Sequence, residues 1–119
     1  MKKQGGFTFV ELLVVITIIA ILTGAAVVSF TNTNRRSRDT RRRLDIESIR
    51  SALELCRTEA GAYPLSIYPG ISCDGETYLS DTPEDPKTAG IYTYAQSSAT
   101  SYTIDCVLES GEACSFSNP

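Results

Sequence analysis

The 119-residue chain contains no histidine and no tryptophan. Histidine is the commonest general base near neutral pH and the commonest metal ligand. Its absence argues against an enzyme before any motif is read. Serines and acids are present, but there is no nucleophile elbow and no phosphate-binding glycine loop. The four cysteines, Cys56, Cys73, Cys106 and Cys114, include no C-x-x-C pair. Zinc is therefore not expected, and no cofactor or metal-ligand set stands out. Charge is missing too from a long apolar run: Leu12 to Phe30 carries none.

Where charge is present it is segregated. The first six residues hold Lys2 and Lys3 and no acid. Residues 35–43 hold six arginines against Asp39, a net +5. From Asp45 onward twelve acids face Arg50, Arg57 and Lys87, a net −9. A basic neck thus separates an apolar tail from an acidic head.

Phe7 to Phe30 is 24 residues with a single charge, Glu11. As a helix rising about 1.5 Å per residue it reaches about 36 Å, enough for a bilayer core of about 30 Å. Val14, Val15, Ile16, Ile18, Ile19 and Ile21 favour a strand in water. Lipid overrules that preference, because a single segment satisfies its own backbone only as a helix. Three readings compete. A cleaved secretory signal has an apolar region of only about 7–15 residues and a small-residue cleavage site, and neither fits. A permanent single-span anchor fits but leaves Gly5-Gly6 and Glu11 unexplained. A carboxylate at mid-bilayer costs about 2.5–3.5 kcal/mol. Glu11 therefore either reaches water near the interface or pairs with a cation inside an assembly.

Lys2-Lys3-Gln4-Gly5-Gly6 followed by Phe7-Thr8-Phe9-Val10-Glu11-Leu12 resembles the leader and class III signal of type IV pilins and type II secretion pseudopilins. The resemblance implies cleavage between Gly6 and Phe7 by a prepilin peptidase and N-methylation of Phe7. It implies that Glu11 is the matching glutamate, pairing with the buried ammonium of a neighbouring subunit during assembly. A charge buried without a partner is costly, so assembly would relieve it. Val28 stands where the family usually has a helix-breaking proline, so local melting is not implied there. Gly24 loosens a helix more weakly.

Six arginines beyond the span run against the positive-inside rule. The resemblance nevertheless implies a head outside the inner membrane, and a reporter fused after Pro119 tests it. The arginines read as a solvated face at lipid headgroups, as a subunit contact with an acidic head, or, least favoured by that acidity, as a nucleic-acid site.

Ile46, Ile49, Leu53, Cys56 and Ala60 recur at steps of three and four, one face of a helix. Gly61 supplies a stop and Tyr63-Pro64 cannot continue it. One helix is predicted from about residue 8 to about residue 59. Residues 65–83 read as a turn-rich loop. Strands are predicted at 91–96, 102–108 and 113–116. The fold class is α+β: a long N-terminal helix, transmembrane in its first half, packed on a small antiparallel β-sheet. The segments are a leader at 1–6, an apolar assembly helix at 7–30, a basic neck and amphipathic helix at 31–60, and a head at 61–119.

Tyr63-Pro64, Pro83-Glu84-Asp85-Pro86 and Gly90-Ile91-Tyr92-Thr93-Tyr94 resemble the head of major pseudopilins and their pilin relatives. Lys87-Thr88-Ala89-Gly90 replaces the usual Trp-Gly. Only Glu109 and Glu112 stand where the family has an acid-rich calcium loop, so calcium, which needs six to eight oxygens, stays possible but unassigned. Asp85 reads more simply as a turn-capping carboxylate. The four cysteines allow three pairings. The preferred one is Cys56–Cys73, helix to loop, with Cys106–Cys114, closing a C-terminal loop as pilins often do. A symmetric turn at Ser110-Gly111 would set Cys114 opposite Val107, so the second bridge calls for a bulge or looser loop.

The expected function is a non-enzymatic structural subunit of a type IV pilus or type II secretion-like pseudopilus. Its expected partners are a prepilin peptidase, an inner-membrane assembly platform, membrane lipid and further copies of itself. The alternative is a single-span tethered binding module that never polymerises.

Overall fold

The structure, a computed structural model, describes residues 5–118. Met1 to Gln4, with the leader lysines Lys2 and Lys3, lie outside the described residues, as does Pro119. One helix, α1 (Phe9–Ala60), runs unbroken through Gly24 and Val28. The chain divides into two compact units, Met1–Asn34 and Arg35–Pro119.

In the first unit every side chain from Phe7 to Phe30 is exposed, and none of the described residues covers the apolar surface. In the second unit α1 buries Ile46, Ile49, Ala52, Leu53 and Cys56 along one stripe. Ala60, expected on that stripe, is exposed instead, because the helix ends beside it. Gly61 takes φ +73°, and its N–H donates to the Arg57 carbonyl at 2.8 Å. Glycine adopts that left-handed conformation without a Cβ clash.

The segment read as a loop holds a hairpin, β1 (Ile71–Cys73) and β2 (Glu76–Leu79). Asp74 and Gly75 join the strands at φ 52° and 88°, the two-residue turn whose twist matches antiparallel strands. Strands of three and four residues are too short to show an alternating pattern, so only the Asp-Gly turn was visible in the sequence. The second sheet has the order β3-β4-β5, all antiparallel, with β3 (Thr93–Ser98), β4 (Ser101–Asp105) and β5 (Phe116–Asn118). Its strands lie within a few residues of the predicted ones.

The register that pairs Ile104 with Phe116 continues to Val107 and Ala113. Cys106 therefore faces Cys114, whose N–H donates to the Cys106 carbonyl at 3.0 Å. The turn is centred on Ser110 rather than between Ser110 and Gly111, and this removes the offset expected from a symmetric two-residue turn. Both predicted disulfides are present, Cys56–Cys73 with Cα atoms 5.6 Å apart and Cys106–Cys114 at 5.0 Å. These separations are ordinary for the bond.

The core closes on tyrosines. Tyr102 stacks edge-on against Tyr63 with ring centroids 4.5 Å apart. Its buried hydroxyl has no hydrogen-bond partner among the described residues. The Tyr92 hydroxyl, by contrast, donates to buried Asp45 at 2.9 Å. The two hydroxyls should respond oppositely to deletion. Tyr92→Phe is expected to cost about 1–3 kcal/mol, because Asp45 loses a buried donor. Tyr102→Phe is expected to be neutral or slightly stabilising. Urea unfolding of the two variants checks the contrast.

Candidate processing and assembly site

Residues 5–8 are not helical, and α1 begins at Phe9. Thr8 explains why it begins there. Its hydroxyl accepts from the Glu11 N–H at 3.2 Å, and Glu11 Oε2 accepts from the Thr8 N–H at 3.3 Å. This reciprocal capping box satisfies two donors that a helix start leaves open. The signature Thr8-x-x-Glu11 is legible in the sequence, but reading Glu11 as an assembly group alone hides it. The cap leaves the Gly6–Phe7 peptide bond just ahead of the helix, in non-helical chain. Phe7 is 90% exposed. Gly5, Gly6, Phe7 and Glu11 together bound a shallow recess of about 210 Å³. The structure thus gathers three residues of the predicted cleavage segment round the glutamate. A Cβ built on Gly5 or Gly6 would meet nothing within 4 Å. The chain's own packing does not demand glycine there.

The neck arginines are largely paired within the chain. The Arg42 side chain is only 5% exposed. It donates to both oxygens of Asp85, at 2.5 and 3.1 Å, and to Asp39 at 2.8 Å. Such forked contacts are the stronger kind of ion pair. Asp85 also caps its own turn, accepting from the N–H groups of Lys87 and Thr88 at 2.9 Å, as the sequence suggested. Arg38 holds both oxygens of Glu109, and Lys87 approaches the same carboxylate at 3.3 Å. Asp39 accepts from the Glu109 N–H at 2.8 Å. Arg41 pairs with Asp45, and Arg43 with Glu112. Readings of the neck as solvated face or subunit contact missed these intrachain pairs. Glu109 and Glu112, the acids in the calcium-loop region, face cationic side chains. Among the described residues no three ligating side chains converge, and these surroundings do not fit a metal ion.

The pairing shifts the acids. The Arg38 hydrogen bond holds Glu109 down at about 2, with burial opposing it and Lys87 assisting. Arg42 holds Asp85 well below the usual carboxylate range, helped by the Thr88 and Lys87 N–H groups. Asp39 is lowered mainly by the Glu109 N–H.

Residues 1–27 match the family described as the prokaryotic N-terminal methylation motif. The chain is 39% identical over 75 residues to a prepilin peptidase-dependent protein D of Escherichia coli (strain K12), covering 63% of this chain and 47% of that protein. It is also 39% identical over 56 residues to two probable minor fimbrial proteins of Dichelobacter nodosus, covering 47% of this chain and 35% of each. The chain is type IV pilin-like. This pilin-like chain spans less than half the length of the curated relatives it matches. No solved structure matches it.

Two outcomes are expected for the pilin-like chain. Gly6→Val should leave its melting temperature unchanged, since the site is open, yet block cleavage by a prepilin peptidase; gel mobility after co-expression reads the second. The depressed carboxylates give a pH dependence of known sign. Their folded values lie below the unfolded value of about 4, so they bind fewer protons when folded. Their contribution is therefore full above that value and lost as pH falls through it. Melting temperature should hold from neutral pH down to about 5 and then drop steeply toward about 2, where Glu109 itself titrates. Arg42→Ala should flatten that drop. It should also destabilise more at pH 7 than Arg43→Ala, whose exposed pair is worth about 0.2–1 kcal/mol.

Proposed function

We propose that the chain is a non-catalytic structural subunit of a type IV pilus or a type II secretion-like pseudopilus. Its precursor lies in the cytoplasmic membrane with the head outside. Prepilin peptidase hydrolyses the Gly6–Phe7 bond, leaving a carboxylate on Gly6 and an amine on Phe7, which is then N-methylated. The mature chain assembles through its apolar helix at an inner-membrane platform. The Glu11 carboxylate there exchanges its intrachain cap for the ammonium of a neighbouring copy.

One observation carries the reading: an apolar helix exposed on all sides, preceded by a non-helical Gly6–Phe7 bond with Glu11 beside it. Lipid covers such a helix in a monomer, and other copies cover it in a filament. The names of the relatives, one dependent on prepilin peptidase and two fimbrial, support the same reading. The acidic head argues against a nucleic-acid partner.

The N-terminal mass of the protein from membranes containing prepilin peptidase tests it. N-methyl-Phe7 is expected as the first residue. A chain still starting at Met1 overturns the proposal in favour of a tethered binding module. Glu11→Ala should still be processed while filament yield falls about ten-fold or more, as expected when a buried charge loses its partner. Wild-type yield would remove Glu11 from assembly.

A further inference from the structure

With the intrachain pairs assigned, the uncompensated charges of the second unit stand out. Arg35 and Arg36 are exposed and make no ion pair among the described residues. At the other end of the same stretch of α1 lies Glu59, exposed and without an ion pair among the described residues. The Cys56–Cys73 bridge fixes the β1–β2 hairpin to this end of α1, which brings Asp74 and Glu76 to the same region, both exposed and likewise without an ion pair among the described residues. The Tyr78 hydroxyl senses all three: burial pushes it up first, then Glu59, Glu76 and Asp74 in turn. The three carboxylates do not converge on a point that could hold a metal ion. A spread of acids suits an extended pair of guanidinium groups, each planar and weakly hydrated.

The two patches cannot meet within one chain. Arg35 and Glu59 are 24 residues apart on a continuous helix, about 36 Å at 1.5 Å per residue. Only a second molecule can bring them together. We infer that Arg35 and Arg36 of one copy dock on Glu59, Asp74 and Glu76 of a second copy. Where successive copies point the same way, as in a filament, the contact is heterologous and propagates into an open array. This deepens the filament reading and rests on it. Phospholipid headgroups are the competing occupant of the arginines. The chain's own acid patch, without an ion pair among the described residues, favours the second copy.

The test uses the full-length chain co-expressed with prepilin peptidase and its assembly machinery. Arg35→Glu with Arg36→Glu should lower sheared-filament yield about ten-fold or more, since like charges across a contact repel. Glu59→Lys with Glu76→Lys should do the same, and all four changes together should restore yield. Glu84→Lys with Asp105→Lys, the same charge change elsewhere, should not lower it. Cleavage at Gly6–Phe7 should be unaffected throughout. A second measurement does not need filaments. Arg35→Lys with Arg36→Lys supplies amines, and carbodiimide treatment of membranes should join residues 35–36 of one copy to Glu59, Asp74 or Glu76 of another. That cross-link without filaments would uphold the contact while the filament reading falls. Filaments without the cross-link, or paired changes that fail to restore yield, would overturn the contact. Arginine changes that reduce only retention in anionic-lipid membranes would overturn it in favour of headgroups.

Discussion

A single helix here serves two solvents, and the rest of the chain is arranged around that constraint. The backbone of α1 is satisfied by its own hydrogen-bond ladder wherever it lies. Only the side chains need change with the surroundings, and they change abruptly. Up to Phe30 they are uncovered and, Glu11 and a few hydroxyls apart, apolar; from Arg35 onward a charged, polar surface accompanies a stripe buried against the head. The β-branched residues of the first half have a strand preference that only an environment without competing water can override. The second half earns its helix by burying Ile46, Ile49, Leu53 and Cys56.

The head is fastened to the helix by ions as much as by oil. Arg42 is a buried cation whose three hydrogen bonds reach two carboxylates. The two carboxylates lead to different parts of the chain: Asp85 belongs to the loop before β3, and Asp39 in turn holds the backbone of the β4–β5 loop through Glu109. Burying a guanidinium is costly unless its donors are filled. Here they are filled by groups from separate segments, so the pairing dictates where those loops sit.

Much of this was legible in the sequence, and the remainder was not for physical reasons. The apolar run and the Gly61 stop follow from local pattern, and each is where it was expected; of the three cysteine pairings open to the sequence, the preferred one is present. The ion pairs are not local: Arg42 and Asp85 are 43 residues apart, Arg38 and Glu109 are 71. No spacing rule links such positions, and an arginine-rich neck read alone resembles any solvated or partner-seeking surface. The β1–β2 hairpin escaped because its strands are shorter than the period needed to recognise them. The end of the buried stripe at Cys56 rather than Ala60 depends on how the chain leaves the helix.

The two disulfides are both short-range, closing sequence separations of 17 and 8 residues. One secures the small hairpin to the helix and the other ties the C-terminal turn to itself. Neither crosses from the helix to the three-stranded sheet. That seam is held by the tyrosine core, by Arg38 on Glu109 and by Asn118 on Glu54. Under tension along the helix, the covalent bonds would keep each fragment intact while the seam carries the load. The sheet is therefore the part that would peel first under pulling, and acid, not reductant, is the condition that would weaken its grip.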